Sequence, residues 1–317
     1  MSIPDPPFIL REPAVQASAL VLASPHSGRN YPASFVDSSR LDARALRRSE
    51  DSFVDELYAA APSHGAALLA ATFPRAYCDA NREAWELDPA MFEDGLPPWV
   101  NTTSVRVGAG LGTLARVVSS GEAIYRRRLR FADAQSRVHT CWEPYHAALR
   151  QLIDTTRRQR GACLLLDCHS MPDVASHLRR RDGARPAGRG DATSLAGRSD
   201  AASPPWDAVR DGPDFVLGDA HGTTCAPAAT RLVETLLRDA GYGVSRNDPY
   251  AGGYVTRHYG RPGEHVHVLQ IEVARGLYMD EATIEKRAGF GVLRDRLSLV
   301  VASLVAALQH DPGLLEP

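Results

Sequence analysis

Lysine is almost absent from this chain of 317 residues, since Lys286 is the single lysine among 36 lysine and arginine residues. The 38 aspartate and glutamate residues bring the net charge to −2. This balance gives no reason to expect nucleic acid or an anionic membrane as a partner. Positive charge is supplied almost entirely by guanidinium groups, whose planar fork suits the recognition of carboxylates.

Paired cysteines and long apolar runs are also lacking. The five cysteines are odd in number and contain no CxxC pair, so the sequence predicts neither a disulfide framework nor a structural zinc ribbon. No apolar run approaches the roughly 20 residues that span a bilayer, and the N-terminal stretch does not resemble a signal peptide. We therefore expect a cytoplasmic protein with reduced thiols. The sequence does not indicate an oligomeric state.

Segments with strand character alternate with amphipathic helical segments along the chain. Strands are predicted at 19–23, 66–72, 75–79, 162–168, 214–219 and 266–278, and helices at 49–60, 130–158, 226–240 and 281–309. This alternation predicts an α/β fold with a mixed, mainly parallel sheet and helices on both faces. One domain is expected over residues 1–317. Residues 178–213 are rich in Arg, Gly, Ala, Ser and Asp. This composition predicts a mobile insertion, either a lid or a disordered surface loop.

Two histidines follow or end predicted strands. His26 lies in "SPHSGRNYP" and His169 in "LLLDCHSMP", and ligands of open α/β sheets collect at the carboxyl ends of strands. A catalytic zinc takes three N or O ligands and leaves one position for water. The acidic pair Glu50-Asp51 offers the third ligand. A single histidine at a strand end is more often a hydrogen-bonded structural residue, and the two together make the ligand and structural explanations equal. Neither HExxH nor HxxE is present.

A separate carboxylate is needed as the general base of a metal-assisted hydrolysis. Glu272 in "LQIEVAR" is the candidate, because an acid inside an apolar strand is costly without a task or a partner. A structural salt bridge with Arg275 is the alternative. Asn81 and Arg82 in "YCDANRE" offer an amide and a guanidinium fork to a substrate carboxylate, and Arg257 in "YVTRHYG" is a candidate for a second carboxylate.

These motifs together resemble the N-formylglutamate amidohydrolase (N-formylglutamate deformylase) family. The resemblance is carried by "SPHSGRNYP", "SEDSFVDELY", "YCDANRE", "GEAIYRRRL", "WEPYHAAL", "LLLDCHSMP", "FVLGDAHGT", "NDPYAGGYVTRHYG" and "LQIEVARGLYMDE", in the family's order over residues from about 20 to 285. It implies an amidohydrolase domain with a three-layer α/β/α fold like that of zinc carboxypeptidases and aspartoacylase-type enzymes. It also implies zinc-dependent hydrolysis of N-formyl-L-glutamate to formate and glutamate, a step of histidine breakdown.

The resemblance further implies individual roles. His26, Asp51 and His169 match the metal ligands, with Glu50 as the fallback for the acid, and Glu272 matches the general base. Asn81 and Arg82 match the pair that grips a substrate carboxylate. "HSGR" departs from the wider superfamily's HxxE pattern, because an arginine replaces the glutamate. Two rival functions remain, namely a hydrolase of another N-acyl amino acid or of a peptide carboxy-terminus, and a non-catalytic metal- or ligand-binding protein.

Overall fold

A computed structural model describes residues 5–173 and 212–316 of the chain. The insertion predicted at 178–213 lies outside the described residues, apart from its last two positions. The prediction that it is mobile, and that the whole chain forms one domain, therefore stays a prediction. All five cysteines are free and buried. In the part of the chain that is described, no helix has the length and hydropathy required to cross a membrane.

Seven strands form one mixed sheet. They are β1 (Phe8–Arg11), β2 (Leu20–Ser24), β3 (Ala67–Ala71), β4 (Cys163–Met171), β5 (Phe215–Gly218), β6 (Val244–Arg246) and β7 (Val266–Ala274). Their order is β1-β3-β2-β4-β7-β5-β6. The pairs β1–β3 and β5–β7 are antiparallel and the other four are parallel. The predicted mixed, mainly parallel sheet is confirmed. A small second sheet pairs β8 (Met279–Asp280) with β9 (Glu285–Lys286).

Successive side chains of each central strand pack on opposite faces of the large sheet. In β4, Leu164 and Leu166 belong to one apolar cluster, and Leu165 belongs to another on the opposite face. The first cluster also contains residues of three helices, α3 (Val54–Leu57), α7 (Pro227–Asp239) and α9 (Gly289–His310); the second contains residues of α6 (Glu143–Arg160) and α8 (Tyr254–Tyr259). Short helices α1 (Ala33–Ser38), α2 (Ala43–Arg47), α4 (Val105–Gly108) and α5 (Phe131–Arg137) complete the fold. Helices cover both faces, as an α/β/α arrangement requires.

Two predicted elements beside the site differ in the structure, and a third, the helix predicted at 281–309, begins only at Gly289 after the pair β8–β9. Residues 75–79 form a turn rather than a strand, because Pro74 starts it by accepting hydrogen bonds from the N–H groups of Tyr77 and Cys78. The helix predicted from residue 49 begins only at Val54, after Phe53 in a left-handed conformation with φ of 67°. The preceding acidic pair is therefore in a loop.

The long helical region predicted at 130–158 is interrupted, as expected, close to Pro144. A wider π turn, Val138–Trp142, separates α5 from α6. Proline lacks the N–H that a continuous helix would use, so it is tolerated in the first turn of α6. The π turn directs two rings toward the same loop: indole Nε1 of Trp142 donates to the Arg82 carbonyl at 2.9 Å, and His146 Nε2 is hydrogen-bonded to the Ala80 carbonyl at 2.8 Å.

Candidate active site

Two imidazoles and one carboxylate converge at one edge of the sheet. Nδ1 of His169 lies 3.0 Å from Oδ2 of Asp51, and Nδ1 of His26 lies 3.3 Å from the same oxygen. The potential ligand atoms of the three residues all lie within 4.8 Å of one another, and all three side chains are buried. The imidazole rings meet edge to face with their centroids 4.7 Å apart. The structure thus brings together the three residues that the sequence predicted as metal ligands.

The outer nitrogen of each imidazole faces a further carboxylate. Nε2 of His26 is hydrogen-bonded to Oδ1 of Asp79 at 2.7 Å, and Nε2 of His169 lies 3.1 Å from Oδ2 of Asp167. The second contact is an ion-pair contact rather than a well-directed hydrogen bond, since neither Asp167 oxygen has a hydrogen-bond partner. Carboxylates at this position orient metal-binding histidines and select their tautomer. Both Nδ1 atoms are then directed at Asp51.

This donor set fits a divalent metal ion. Nδ1 of buried His26 has no hydrogen-bond partner among the described residues, although buried polar atoms are normally paired. Burial alone would raise the pKa of Asp51, but the contacts with His169 and His26 hold it well below its usual range, so the carboxylate is ionised. Two imidazole nitrogens and one carboxylate oxygen form the usual ligand set of a catalytic zinc site with an open fourth position.

Backbone and side-chain contacts hold Asp51 in this place. Its N–H donates to the His26 carbonyl at 3.0 Å, which ties the two ligand segments together. Nη2 of Arg275 donates to Oδ1 of Asp51 at 3.1 Å and to the carbonyl of Glu50 at 2.6 Å. The Glu50 carboxylate turns away and pairs with Arg47 at 2.9 Å. Asp51, rather than the fallback Glu50, is therefore the acid that faces the histidines.

Glu272 lies directly opposite His169 on the neighbouring strand. Its side chain is held by Gln270, whose Nε2 donates to Oε1 of Glu272 at 2.8 Å. Burial raises the pKa of Glu272 to about 7; His169 opposes this rise and Asp51 adds to it. A carboxyl group with a pKa near neutrality can accept and release a proton at the pH of the cell. Arg275, the salt-bridge partner considered above, contacts Asp51 instead.

The Asn81-Arg82 pair lies beside His169, and its polar groups are partly engaged. Oδ1 of Asn81 accepts from the N–H of Val255 at 2.8 Å, and Nδ2 lies 3.2 Å from Nε2 of His169. In Arg82, Nε donates to the Leu111 carbonyl at 2.8 Å and Nη1 donates to the Asn81 carbonyl at 2.7 Å. Burial lowers the pKa of Arg82 to about 10, so this guanidinium is still charged near neutral pH.

Two glycines permit the close approach of the loops that build the site. A Cβ on Gly253 would lie 2.3 Å from Nδ2 of Asn81, and one on Gly28 would lie 2.1 Å from the carbonyl oxygen of Phe73. Gly253 also donates its N–H to Oε1 of Gln270 at 2.8 Å. A larger residue at either glycine would displace a segment that carries a predicted site residue.

A cavity of about 560 Å³ opens onto these side chains, a size typical of small-molecule sites. Its lining includes His26, Asp51, Asn81, Arg82, His169, Arg257 and Glu272. Arg257 is exposed and its Nη1 donates to the carbonyl of Gly252 at 2.8 Å. The structure therefore brings all seven predicted site residues to one cavity, while the role of each stays a prediction.

Residues 18–279 match the N-formylglutamate amidohydrolase family. The chain belongs to this family. The N-formylglutamate deformylase of Pseudomonas putida is 29% identical over 265 residues, which cover 83% of this chain and 82% of that protein. The deformylase of Pseudomonas aeruginosa is 29% identical over 267 residues, with the same coverage.

Solved structures agree with this membership of the N-formylglutamate amidohydrolase family. The N-formylglutamate amidohydrolase of Ralstonia eutropha JMP134 is 38% identical and superposes with a TM-score of 0.81, covering 96% of this chain and 99% of that one. A protein of Agrobacterium tumefaciens, 14% identical, superposes with a TM-score of 0.58 over 95% of each chain, which shows a shared fold alone. The resemblance inferred from the motifs is confirmed.

The departure noted in "HSGR" has a structural counterpart. Arg29 lies away from the imidazoles and forms ion pairs with Glu56 at 3.1 Å and Asp55 at 3.6 Å. The carboxylate beside His26 comes instead from Asp51, in the loop before α3. A second segment thus supplies the acid in this member of the N-formylglutamate amidohydrolase family.

Four residues that contact the site were not assigned a role in it from the sequence, namely Arg75, Asp79, Gln270 and Arg275. Nη2 of Arg75 donates to Oδ2 of Asp79 at 2.8 Å, while burial, which alone would raise the pKa of Asp79, is outweighed by Arg75 and Arg82, so that the pKa lies well below its usual range. The available signal was proximity in sequence. Asp79 precedes Asn81 by two residues, and Gln270 precedes Glu272 by two, so each shares a local segment with its partner.

Proposed function

We propose that this protein hydrolyses the formamide bond of N-formyl-L-glutamate to formate and L-glutamate with the help of a divalent metal ion. The convergence of His26 Nδ1 and His169 Nδ1 on one oxygen of Asp51, beside Glu272, is the observation that carries the proposal. Membership of the N-formylglutamate amidohydrolase family supports the substrate, as do the names of the Pseudomonas and Ralstonia relatives.

His26, Asp51 and His169 would hold the metal, with zinc as the expected ion. When bound, such an ion lowers the pKa of water toward neutrality and polarises the amide carbonyl. Asp79 is hydrogen-bonded to the outer nitrogen of His26, which would leave the Nδ1 lone pair of that ring for the metal. Asp167 lies 3.1 Å from the outer nitrogen of His169 and is the proposed counterpart for the second ring. Arg275 balances the charge of Asp51 from the opposite side.

Glu272 is the proposed general base. Its carboxylate takes a proton from the attacking water and delivers it to the nitrogen that leaves as the amine of glutamate. The pKa of about 7 suits both transfers near neutral pH. The hydrogen bond from Gln270 holds the carboxylate toward His169, so the base needs little reorganisation before the reaction.

The substrate brings two carboxylates into a cavity rich in guanidinium groups. Asn81 and Arg82 are the proposed partners of one carboxylate, through the N–H groups that their internal hydrogen bonds leave over. Arg257, which is exposed, adds positive charge for the second. Arg75 also lines the cavity and would stabilise negative charge that develops on the amide oxygen.

Two alternative functions predict different results in the same measurements. A hydrolase of another N-acyl amino acid, or of a peptide carboxy-terminus, would share the metal site and Glu272 but would prefer another member of a substrate panel. A non-catalytic metal- or ligand-binding protein would bind zinc and hydrolyse nothing. The buried Glu272 with its raised pKa argues against this second alternative. A cytoplasmic location and a place in histidine breakdown stay predictions.

The test combines metal analysis with kinetics. Wild type and His169→Ala are purified in parallel, bound metal is counted per chain, and release of free glutamate or aspartate is followed for N-formylglutamate, N-formylaspartate, N-acetylglutamate and a glutamate-terminated dipeptide. We expect one metal per wild-type chain, its loss from His169→Ala, and the highest kcat/KM for N-formylglutamate. Equal metal content in both proteins would show that His169 is not a metal ligand. A higher kcat/KM for another substrate would contradict the proposed activity.

A further inference from the structure

One guanidinium of the cavity has no fixed partner in the part of the chain that the structure describes. Five arginines line it, and four of them are held: Arg75 by Asp79, Arg275 by Asp51, and Arg82 and Arg257 by backbone carbonyls. The fifth, Arg106, is half-buried, and within residues 5–173 and 212–316 no carboxylate or carbonyl accepts a hydrogen bond from its side chain. A half-buried cation of this kind requires either water or an anion.

Hydrogen bonds hold the backbone around Arg106 in place, although the guanidinium of Arg106 has no partner among the described residues. The Arg106 carbonyl accepts from the N–H of Leu111 at 2.8 Å, and the Leu111 carbonyl accepts from Nε of buried Arg82 at 2.8 Å. Oγ of Ser104 accepts from the N–H of Val107 at 3.1 Å and caps the short helix α4. Val107 is buried. The backbone is therefore pre-organised, which lowers the cost of fixing the side chain on a ligand.

Arg106 also lies close enough to Arg82 for the two charges to repel. Burial is the main reason for the lowered pKa of Arg82, and Arg75 and Arg106 lower it further through their like charge. Two guanidinium groups that line one cavity, one partly engaged by backbone carbonyls and one without such a bond to any described residue, suit the binding of a carboxylate. Arg82 donates hydrogen bonds to backbone carbonyls through Nε and Nη1, whereas none of the five N–H donors of Arg106 is bonded to another described residue.

We propose that Arg106 is the residue that selects the acidic side chain of the substrate, by pairing with its distal carboxylate. This inference rests on the proposed function and adds to it the source of the preference for glutamate over glutamine. Arg257 is less suited to this selection, because it is exposed, where water screens the interaction, and one of its nitrogens is bonded to Gly252. Arg82, the proposed partner of the other carboxylate, also holds the Arg106 segment in place through its hydrogen bond to the Leu111 carbonyl.

The experiment compares kcat/KM for N-formylglutamate and N-formylglutamine, which differ by a carboxylate against a neutral amide of nearly equal size. The metal-loaded wild type is measured with Arg106→Met, Arg106→Lys and Arg257→Met. Arg130→Met is the matched control, since Arg130 is an exposed arginine paired with Glu93. A charge-assisted hydrogen bond corresponds to a preference of roughly 10- to 100-fold.

We expect the wild type and Arg130→Met to keep this preference, while Arg257→Met, which removes only an exposed and screened charge, should reduce it by no more than about 3-fold. In Arg106→Met the ratio should fall to within about 3-fold, through loss of activity on N-formylglutamate alone, while Arg106→Lys should keep an intermediate ratio because the charge remains without the fork. An unchanged ratio in Arg106→Met, or a collapse in Arg257→Met instead, would overturn the assignment of Arg106 and leave the proposed function intact. If the wild type hydrolyses neither compound, the proposed function fails and this assignment fails with it. Should Arg106→Met not fold, the ratio in Arg106→Lys decides.

Discussion

Replacing Glu272 by glutamine should stabilise the metal-stripped protein, even though it should abolish activity. Glutamine has nearly the same shape and keeps a carbonyl oxygen to accept the hydrogen bond from Gln270. The substitution therefore removes an ionisation and little else. The stability effect reports the environment of Glu272 without depending on substrate or metal.

The magnitude follows from the raised pKa of Glu272, about 7 in the folded protein against an ordinary value of 4.5. Because the folded state holds the proton more tightly than the unfolded state, this contribution to stability is fully present below pH 4.5 and is lost as pH rises through 7. A shift of this size corresponds to about 1 kcal/mol at pH 5 and about 3 kcal/mol at pH 8. Glu272 is only 8% exposed, so solvent screening reduces this free-energy difference little.

The assay is urea unfolding at pH 5 and pH 8 with a chelator present throughout. We expect Glu272→Gln to exceed the wild type by about 1 kcal/mol at pH 5 and about 3 kcal/mol at pH 8. Glu285→Gln, at an exposed glutamate, should change neither value. With metal restored, kcat of Glu272→Gln should fall by about 100-fold or more. A difference between variant and wild type that is the same at both pH values would refute the burial argument.

Three other substitutions test the supports of the site. Arg275→Met leaves buried Asp51 without its cationic partner and should lower the free energy of unfolding by about 3 kcal/mol, together with metal content per chain; full metal occupancy would contradict the role given to Arg275. Burial lowers the pKa of His146 to about 3, so the folded state resists protonation and the contribution of His146 to the free energy of unfolding should fall by about 2 kcal/mol between pH 7 and pH 5. In urea unfolding, the stability of the wild type relative to His146→Gln should therefore fall by that amount; a constant difference between the two proteins would contradict it. Trp142→Phe removes the indole bond to the Arg82 carbonyl and should raise KM for N-formylglutamate several-fold with little change in kcat; a fall in kcat alone would be the contrary result.

Much of the site could be predicted from local patterns, because its residues follow strand geometry. His169 and Glu272 lie in apolar strands, where a polar residue is costly unless it has a partner or a function. Alternation also predicts that Asp167 shares the face of His169 while Cys168 lies on the other, and Cys168 indeed packs in the opposite apolar cluster. The family resemblance added the choice of Asp51 over Glu50, which the contacts with the histidines support.

The remaining features depend on contacts between distant segments. The loop that places Asp51 is set by its bond to the His26 carbonyl and by Arg275, which is 224 positions away. Local signals at Ser49 and Glu50 indicated a helix start there, but these tertiary contacts delay the helix to Val54. The turn at 75–79 contains residues with strand propensity, and Pro74 overrides them.

The π turn at Val138–Trp142 makes the length of a helix a determinant of where the loop with Asn81 and Arg82 lies. Each residue of an α-helix turns the following side chains by about 100°, so deleting one residue between α5 and α6 would rotate Trp142 and His146 relative to Phe131–Arg137, or rotate that helix relative to the sheet. Either way the carbonyls of Ala80 and Arg82 would lose an anchor. Homologous chains of this family that keep the Asn-Arg pair should therefore tolerate substitutions in this turn more readily than insertions or deletions.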